Sequence, residues 1–117
     1  MDKSIIQTLE KCSLCGFCKV NCPVYKAELK ESSSPRAKIL KLKKNIEDIR
    51  FYDCTLCKAC VVECPAEVDM KMRSIRSDLV NSGKETEANK RMIENIRRYG
   101  NPFGEAKDTK PKELYCC

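Results

Sequence analysis

Apolar residues in this chain recur mostly at intervals of three and four, with Lys and Glu between them, and strand-like alternation is scarce. Ile5, Ile6 and Leu9 predict one apolar face of a short helix within residues 2–11. Ser32-Ser33-Ser34-Pro35-Arg36 is a helix start, with a serine to cap and a proline suited to the first helical position. Ile39, Leu40, Leu42, Ile46 and Ile49 then predict a helix or helix pair running to about Tyr52. Further on, Asp69 is placed to cap a helix through about Ser82, carrying Met70, Met72, Ile75 and Leu79 and ended by Gly83. A last helix is predicted over residues 85–99 from Ala88, Met92, Ile93 and Ile96, with Gly100-Asn101-Pro102 to stop it. The remainder reads as a loop or extended arm. The pattern predicts an all-α domain over residues 1–104 and a C-terminal tail over 105–117.

Between these helices lie two identical cysteine words, Cys12-x2-Cys15-x2-Cys18-x3-Cys22-Pro23 and Cys54-x2-Cys57-x2-Cys60-x3-Cys64-Pro65. Three cysteines spaced by two residues can wrap a loop around three corners of a 4Fe-4S cubane. The fourth lies too far along to reach the remaining iron and ligates the other cluster. The spacing therefore predicts two 4Fe-4S clusters with crossed ligands: Cys12, Cys15, Cys18 and Cys64 on one, Cys54, Cys57, Cys60 and Cys22 on the other. Every iron then has a cysteine, unlike a radical enzyme, whose three-cysteine word leaves one iron open. Clusters tied by one short chain lie close together, which points to electron transfer. Zinc would account for C-x2-C pairs but not for the third cysteine or the proline. A disulfide framework would need an oxidising compartment, and the opening Met-Asp-Lys-Ser-Ile-Ile has no apolar secretory segment, so a cytoplasmic location is expected.

Composition agrees. At 117 residues with 6% aromatics and no Trp, the core is small, and cluster binding is expected to supply much of its organisation. No apolar run approaches the roughly 20 residues that cross a bilayer, so no direct membrane insertion is expected. The formal charge of +6 falls to about +2 once eight cysteinates and two oxidised cores are counted. Basic stretches such as Lys41, Lys43 and Lys44 lack interleaved aromatics, which argues against nucleic acid. There is no His, no nucleophile with a base and no Gly-rich phosphate loop, hence no expected catalytic residue. The Met residues are read as core filling.

Strand-forming runs do not flank the cysteine words, so the fold expected is an α-helical ferredoxin rather than the β-α-β kind. The two words, the Ser34-Pro35-Arg36-Ala37 segment leading into a basic amphipathic helix, and Ile96-Arg97-Arg98-Tyr99-Gly100-Asn101-Pro102-Phe103-Gly104 together resemble the family of the small two-cluster iron-sulfur subunit of heterodisulfide reductase, over about residues 8–106. Similar modules occur in the amino-terminal half of a larger heterodisulfide reductase component and in the iron-sulfur subunits of anaerobic glycerol-3-phosphate dehydrogenase, glycolate oxidase and succinate dehydrogenase. The resemblance implies a non-catalytic relay in a hetero-oligomeric complex. It would pass electrons from a flavin-containing subunit to a cysteine-rich catalytic subunit of the Cys-Cys-Gly type, which reduces the mixed disulfide of coenzyme M and coenzyme B. A free ferredoxin-like carrier, or the iron-sulfur subunit of another anaerobic dehydrogenase, is the alternative.

Lys11, Lys19 and Lys58 adjoin the loops and are expected to raise cluster potentials. Gly16 and Ala59 are small residues that let the backbone approach a sulfide, and Pro23 and Pro65 turn the chain after a ligand. Cys116 and Cys117 fall outside the pattern. Three readings stay open: an incidental or reactive tail, a boundary before a cysteine-rich domain, or ligands for a neighbouring subunit's cluster.

Overall fold

The computed structural model describes residues 3–105; the tail predicted for 105–117, with Cys116 and Cys117, lies outside the described residues apart from Glu105. Six α-helices are found there and no strand: α1 (Lys3–Glu10), α2 (Pro23–Glu28), α3 (Pro35–Lys43), α4 (Ala59–Val62), α5 (Met72–Asn81) and α6 (Glu87–Tyr99). Tight 3₁₀ turns at Phe17–Lys19, Glu31–Ser33 and Ile49–Asp53 join them.

The helix starts follow local chemistry. Ser34 Oγ accepts the Ala37 N–H at 3.0 Å, and Pro35 takes the first position of α3, where its missing N–H leaves nothing unpaired. Thr86 Oγ1 accepts the Asn89 N–H at 3.1 Å to open α6, and Gly100 in the left-handed region closes it. Pro23 does more than turn the chain, because it is the first residue of α2.

Three expectations are corrected. The helix after Ser34 ends at Lys43, and Asn45 turns left-handed (φ 52°) before the 3₁₀ turn, so Ile46 and Ile49 are exposed. Asp69 does not cap α5. Its carboxylate accepts the Lys71 N–H at 2.8 Å in a turn ahead of the helix, which begins at Met72. On α1, Ile5 and Leu9 are buried but Ile6 faces out.

The core is one cluster: Ile5 and Leu9 from α1, Ile39 and Leu42 from α3, Phe51, Val68 and Met70 from the connections, and Met72, Ile75 and Leu79 from α5. Met70 and Met72 are packing residues, as expected. Cys12, Leu14, Cys54, Leu56, Cys60 and Cys64 pack against this core. The cysteine loops are therefore its outer layer. Around them α1 packs on α3, α3 and α4 both pack on the Phe17–Lys19 turn, and α5 packs on Ile49–Asp53. No residue of α6 is fully buried.

Candidate metal centre

The two words turn left-handed at the same two positions. Leu14 and Leu56, two residues after the first cysteine, have φ of 60° and 59°, and Gly16 and Lys58, one residue after the second, have φ of 89° and 62°. Left-handed residues set among right-handed and extended ones turn successive N–H groups toward the inside of a loop, a concavity that suits an anion such as an iron-sulfur core. Non-glycine residues in this region cost about 1–2 kcal/mol each, and Leu14, Leu56 and Lys58 accept that cost. The small residue in register with Gly16 is thus not Ala59; Lys58 stands there.

The N–H groups already find sulfur. Leu14 N–H donates to Cys12 Sγ at 3.4 Å. In the second loop the Ala59 N–H, with the Thr55 hydroxyl, holds the Cys57 thiol below its ordinary range against the effect of burial. Cys15 and Cys57 are exposed at the loop tips, Cys22 is buried, and the other five are half-buried; all eight are free thiols.

The through-space neighbours cross between the words. Burial pushes the Cys18 thiol up, as do Cys12, Cys15 and, from the second word, Cys64. Burial pushes Cys60 up to about 12, together with Cys54, Cys18, Cys22 and Cys57. Thiols crowded in this way remain protonated until a metal takes them, so loading releases protons. Cys12, Cys15 and Cys18 share one cavity with Cys60 and Cys64, walled by Leu14, Ile39 and Val68. Cys54 and Cys60 open on a second, with Lys58, Asp69 and Met70. The words are also tied by a hydrogen bond of 2.8 Å from Asn21 Nδ2 to Glu63 Oε1, between the residues that precede each fourth cysteine.

Among the described residues no three Cys, Asp or Glu side chains converge closely enough to hold a single metal ion. A tetrahedral zinc site would bring its sulfurs to about 3.8 Å from one another, from a Zn–S bond of about 2.3 Å. Five cysteines lining one cavity, with a backbone N–H donating to sulfur, fit a multi-atom cluster.

Residues 8–68 match the family model described as the 4Fe-4S dicluster domain. The chain belongs to that family. A dicluster domain of this kind binds 4Fe-4S cofactor and serves electron transfer, and its helical architecture agrees with the α-helical ferredoxin fold expected from the sequence. Comparison with curated proteins gave no significant match. No helix among the described residues of this dicluster protein is long and apolar enough to cross a membrane.

The charged residues that reach the loops are mostly not those the sequence singled out. Lys58 is 73% exposed and pairs loosely with Asp69 at 3.6 Å. Lys19 is bound by Glu31 at 3.1 Å and lies 5.3 Å from the Tyr25 ring. Lys43 Nζ donates to the Cys12 carbonyl at 2.7 Å, and Arg36 lines the first cavity. Arg76 Nε and Nη2 donate to the Phe51 carbonyl at 3.1 Å each, and Nη2 donates to those of Tyr52 (2.9 Å) and Cys54. The guanidinium also stacks 5.2 Å from the Tyr52 ring. Lys38 is almost fully buried, and its charge acts on Asp53, whose carboxyl is raised by burial and by Glu28.

Proposed function

We propose that this chain is an electron relay built on two 4Fe-4S clusters with crossed ligands. Cys12, Cys15, Cys18 and Cys64 hold the first; Cys54, Cys57, Cys60 and Cys22 hold the second. The observation that carries the reading is that Cys64, from the second word, lines the same cavity as Cys12, Cys15 and Cys18 of the first. Support also comes from the matched left-handed positions of the loops and from the dicluster family. Closed coordination leaves no iron open to substrate, so the clusters exchange electrons rather than perform group chemistry.

In this reading the donor is a flavin-containing subunit and the acceptor a cysteine-rich catalytic subunit of the Cys-Cys-Gly type, in a complex of the heterodisulfide reductase kind. The segment Tyr99-Gly100-Asn101-Pro102-Phe103-Gly104 favours this branch by resemblance. It is an ordered element: Asn101 Oδ1 accepts the Phe103 and Gly104 N–H groups at 2.9 Å, and Asn95 Nδ2 donates to the Pro102 carbonyl at 3.0 Å.

Anaerobically purified protein is expected to carry about eight iron and eight acid-labile sulfide per chain, with a spin-coupled EPR spectrum after reduction. Stoichiometric zinc without sulfide would end the proposal. Cys22→Ser and Cys64→Ser should each perturb the cluster whose other three ligands lie in the opposite word. Affinity purification from the native host is expected to retain flavoprotein and cysteine-rich partners; recovery of the chain alone would favour a free carrier.

A further inference from the structure

The helices α3 and α5 each return an arginine to the cysteine loop that precedes them, and the two are used differently. Arg76 is a backbone clamp, with its donors aimed at carbonyl oxygens. Arg36 instead donates through Nε to Glu31 Oε1 at 2.8 Å, and its two terminal nitrogens make no hydrogen bond among the described residues. Nη1 lies over the first loop. A Cβ placed on Gly16 would come 3.3 Å from Arg36 Nη1, 3.4 Å from Lys19 Cε and 3.8 Å from Arg36 Cδ, so the arginine, with the Lys19 stem, fills the space that the missing side chain leaves.

The glycine itself bears this out. At φ 89° its backbone strains any L side chain, whereas Lys58 adopts φ 62° at the matching position of the second loop. The neighbour differs as well: in the first loop an arginine approaches from outside, whereas in the second the side chain at that position is itself a lysine pointing into water. Arg36 stands in the wall of the same cavity as Cys12, Cys15 and Cys18. Its side chain is 35% exposed, half the exposure of Lys58, so its field is less screened.

We propose that Arg36 is a positioning residue for electron transfer, setting the reduction potential of the cluster held by Cys12, Cys15 and Cys18. This rests on the two-cluster reading above. Reduction adds one electron to an anionic core, so a fixed cation beside its sulfurs stabilises the reduced form more than the oxidised one. The guanidinium is always charged, and its Nη1 faces the loop beside Gly16. Glu31 pins it through Nε and leaves Nη1 turned to the loop.

The test is a reductive titration of the loaded full-length chain followed by EPR, with iron and sulfide counted on each sample. Arg36→Gln is expected to lower one midpoint and leave the other in place. The reduced-to-oxidised ratio of that cluster at fixed potential should change at least tenfold, about 59 mV for a one-electron couple. Arg36→Lys should shift the same midpoint less, and Arg36→Met, which also removes the charge, should shift it as Arg36→Gln does. Lys58→Gln should move neither midpoint by as much. If Arg36→Gln fails to keep its clusters, the lysine and methionine variants decide. Unmoved midpoints in both at full iron content would overturn the proposal, as would an equal shift of both midpoints. A wild-type chain without iron and sulfide would overturn the two-cluster reading, and this proposal with it.

Discussion

Replacing Arg76 by Met should loosen the entry to the second cysteine loop without altering its ligands. The guanidinium joins α5 to three acceptors on the chain that leads into that loop, the carbonyls of Phe51, Tyr52 and Cys54. A hydrogen bond to a charged group contributes about 1.5–3 kcal/mol, and the cation over a Tyr ring about 0.5–1 kcal/mol more. These carbonyls are only partly buried, so water replaces some of what is lost, and about 3 kcal/mol is a reasonable net cost. At about 1.4 kcal/mol per factor of ten, local opening of residues 51–54 becomes on the order of a hundredfold more frequent. The assay is anaerobic challenge of loaded protein with an iron chelator, following the sulfur-to-iron charge-transfer absorbance. Arg76→Met is expected to lose cluster on the order of a hundredfold faster than wild type. Arg76→Lys should recover little, because one ammonium cannot span three carbonyls. Loss of cluster within threefold of the wild-type rate would refute the clamp.

Other outcomes follow from the same contacts. Ser34→Ala removes the Ala37 cap and should cost about 1 kcal/mol, read as a lower thermal midpoint with iron content intact. Phe51→Ala empties a position that is 1% exposed at the centre of the core and should cost about 3–5 kcal/mol, so that the chain no longer assembles full iron and sulfide during reconstitution. Glu31 and Asp48 are both held below the ordinary carboxylate range: burial opposes this, but Arg36, Lys19 and Ser34 outweigh it for Glu31, and Lys41 and the Arg50 N–H for Asp48. Their stabilisation is present above the unfolded pKa of about 4 and is lost as pH falls through the lowered folded values. Comparing thermal midpoints of Glu31→Gln, Asp48→Asn and wild type from neutral pH down to about 3 should show the variants losing less; equal acid slopes would count against this.

The cysteine words were legible because a cubane imposes its spacing on neighbouring residues, so the signal is local. Ile5, Leu9, Ile75 and Leu79 were legible for a similar reason, since a helix repeats its buried face every three or four residues. That rule misled at Ile46 and Ile49, which keep helical spacing beyond the left-handed Asn45, where the helix has already ended. Asp69 likewise offers a capping carboxylate, but α5 starts only at Met72 and the carboxylate serves a turn. Arg36 and Arg76 could not be assigned from the chain, because both act on loops about twenty residues away, by contacts that only packing creates. Lys58 shows the reverse: adjacent to a ligand in sequence, it is mostly in water.

The placement of Cys64 in the cavity of Cys12, Cys15 and Cys18 bears on how such a protein comes into being. In the crossed assignment proposed above, neither half of the chain contains a complete ligand set, so the two halves would not mature as separate units. A ribosome that has released only the first word has made three corners of a cage, whose fourth is still to be synthesised some forty residues later. With ligands shared in this way, iron delivery would wait until both cysteine words have emerged, and oxidative loss of one cubane would loosen the loop that supplies a ligand to its neighbour. The chain is laced rather than stacked, and it should be filled, and fail, as one object.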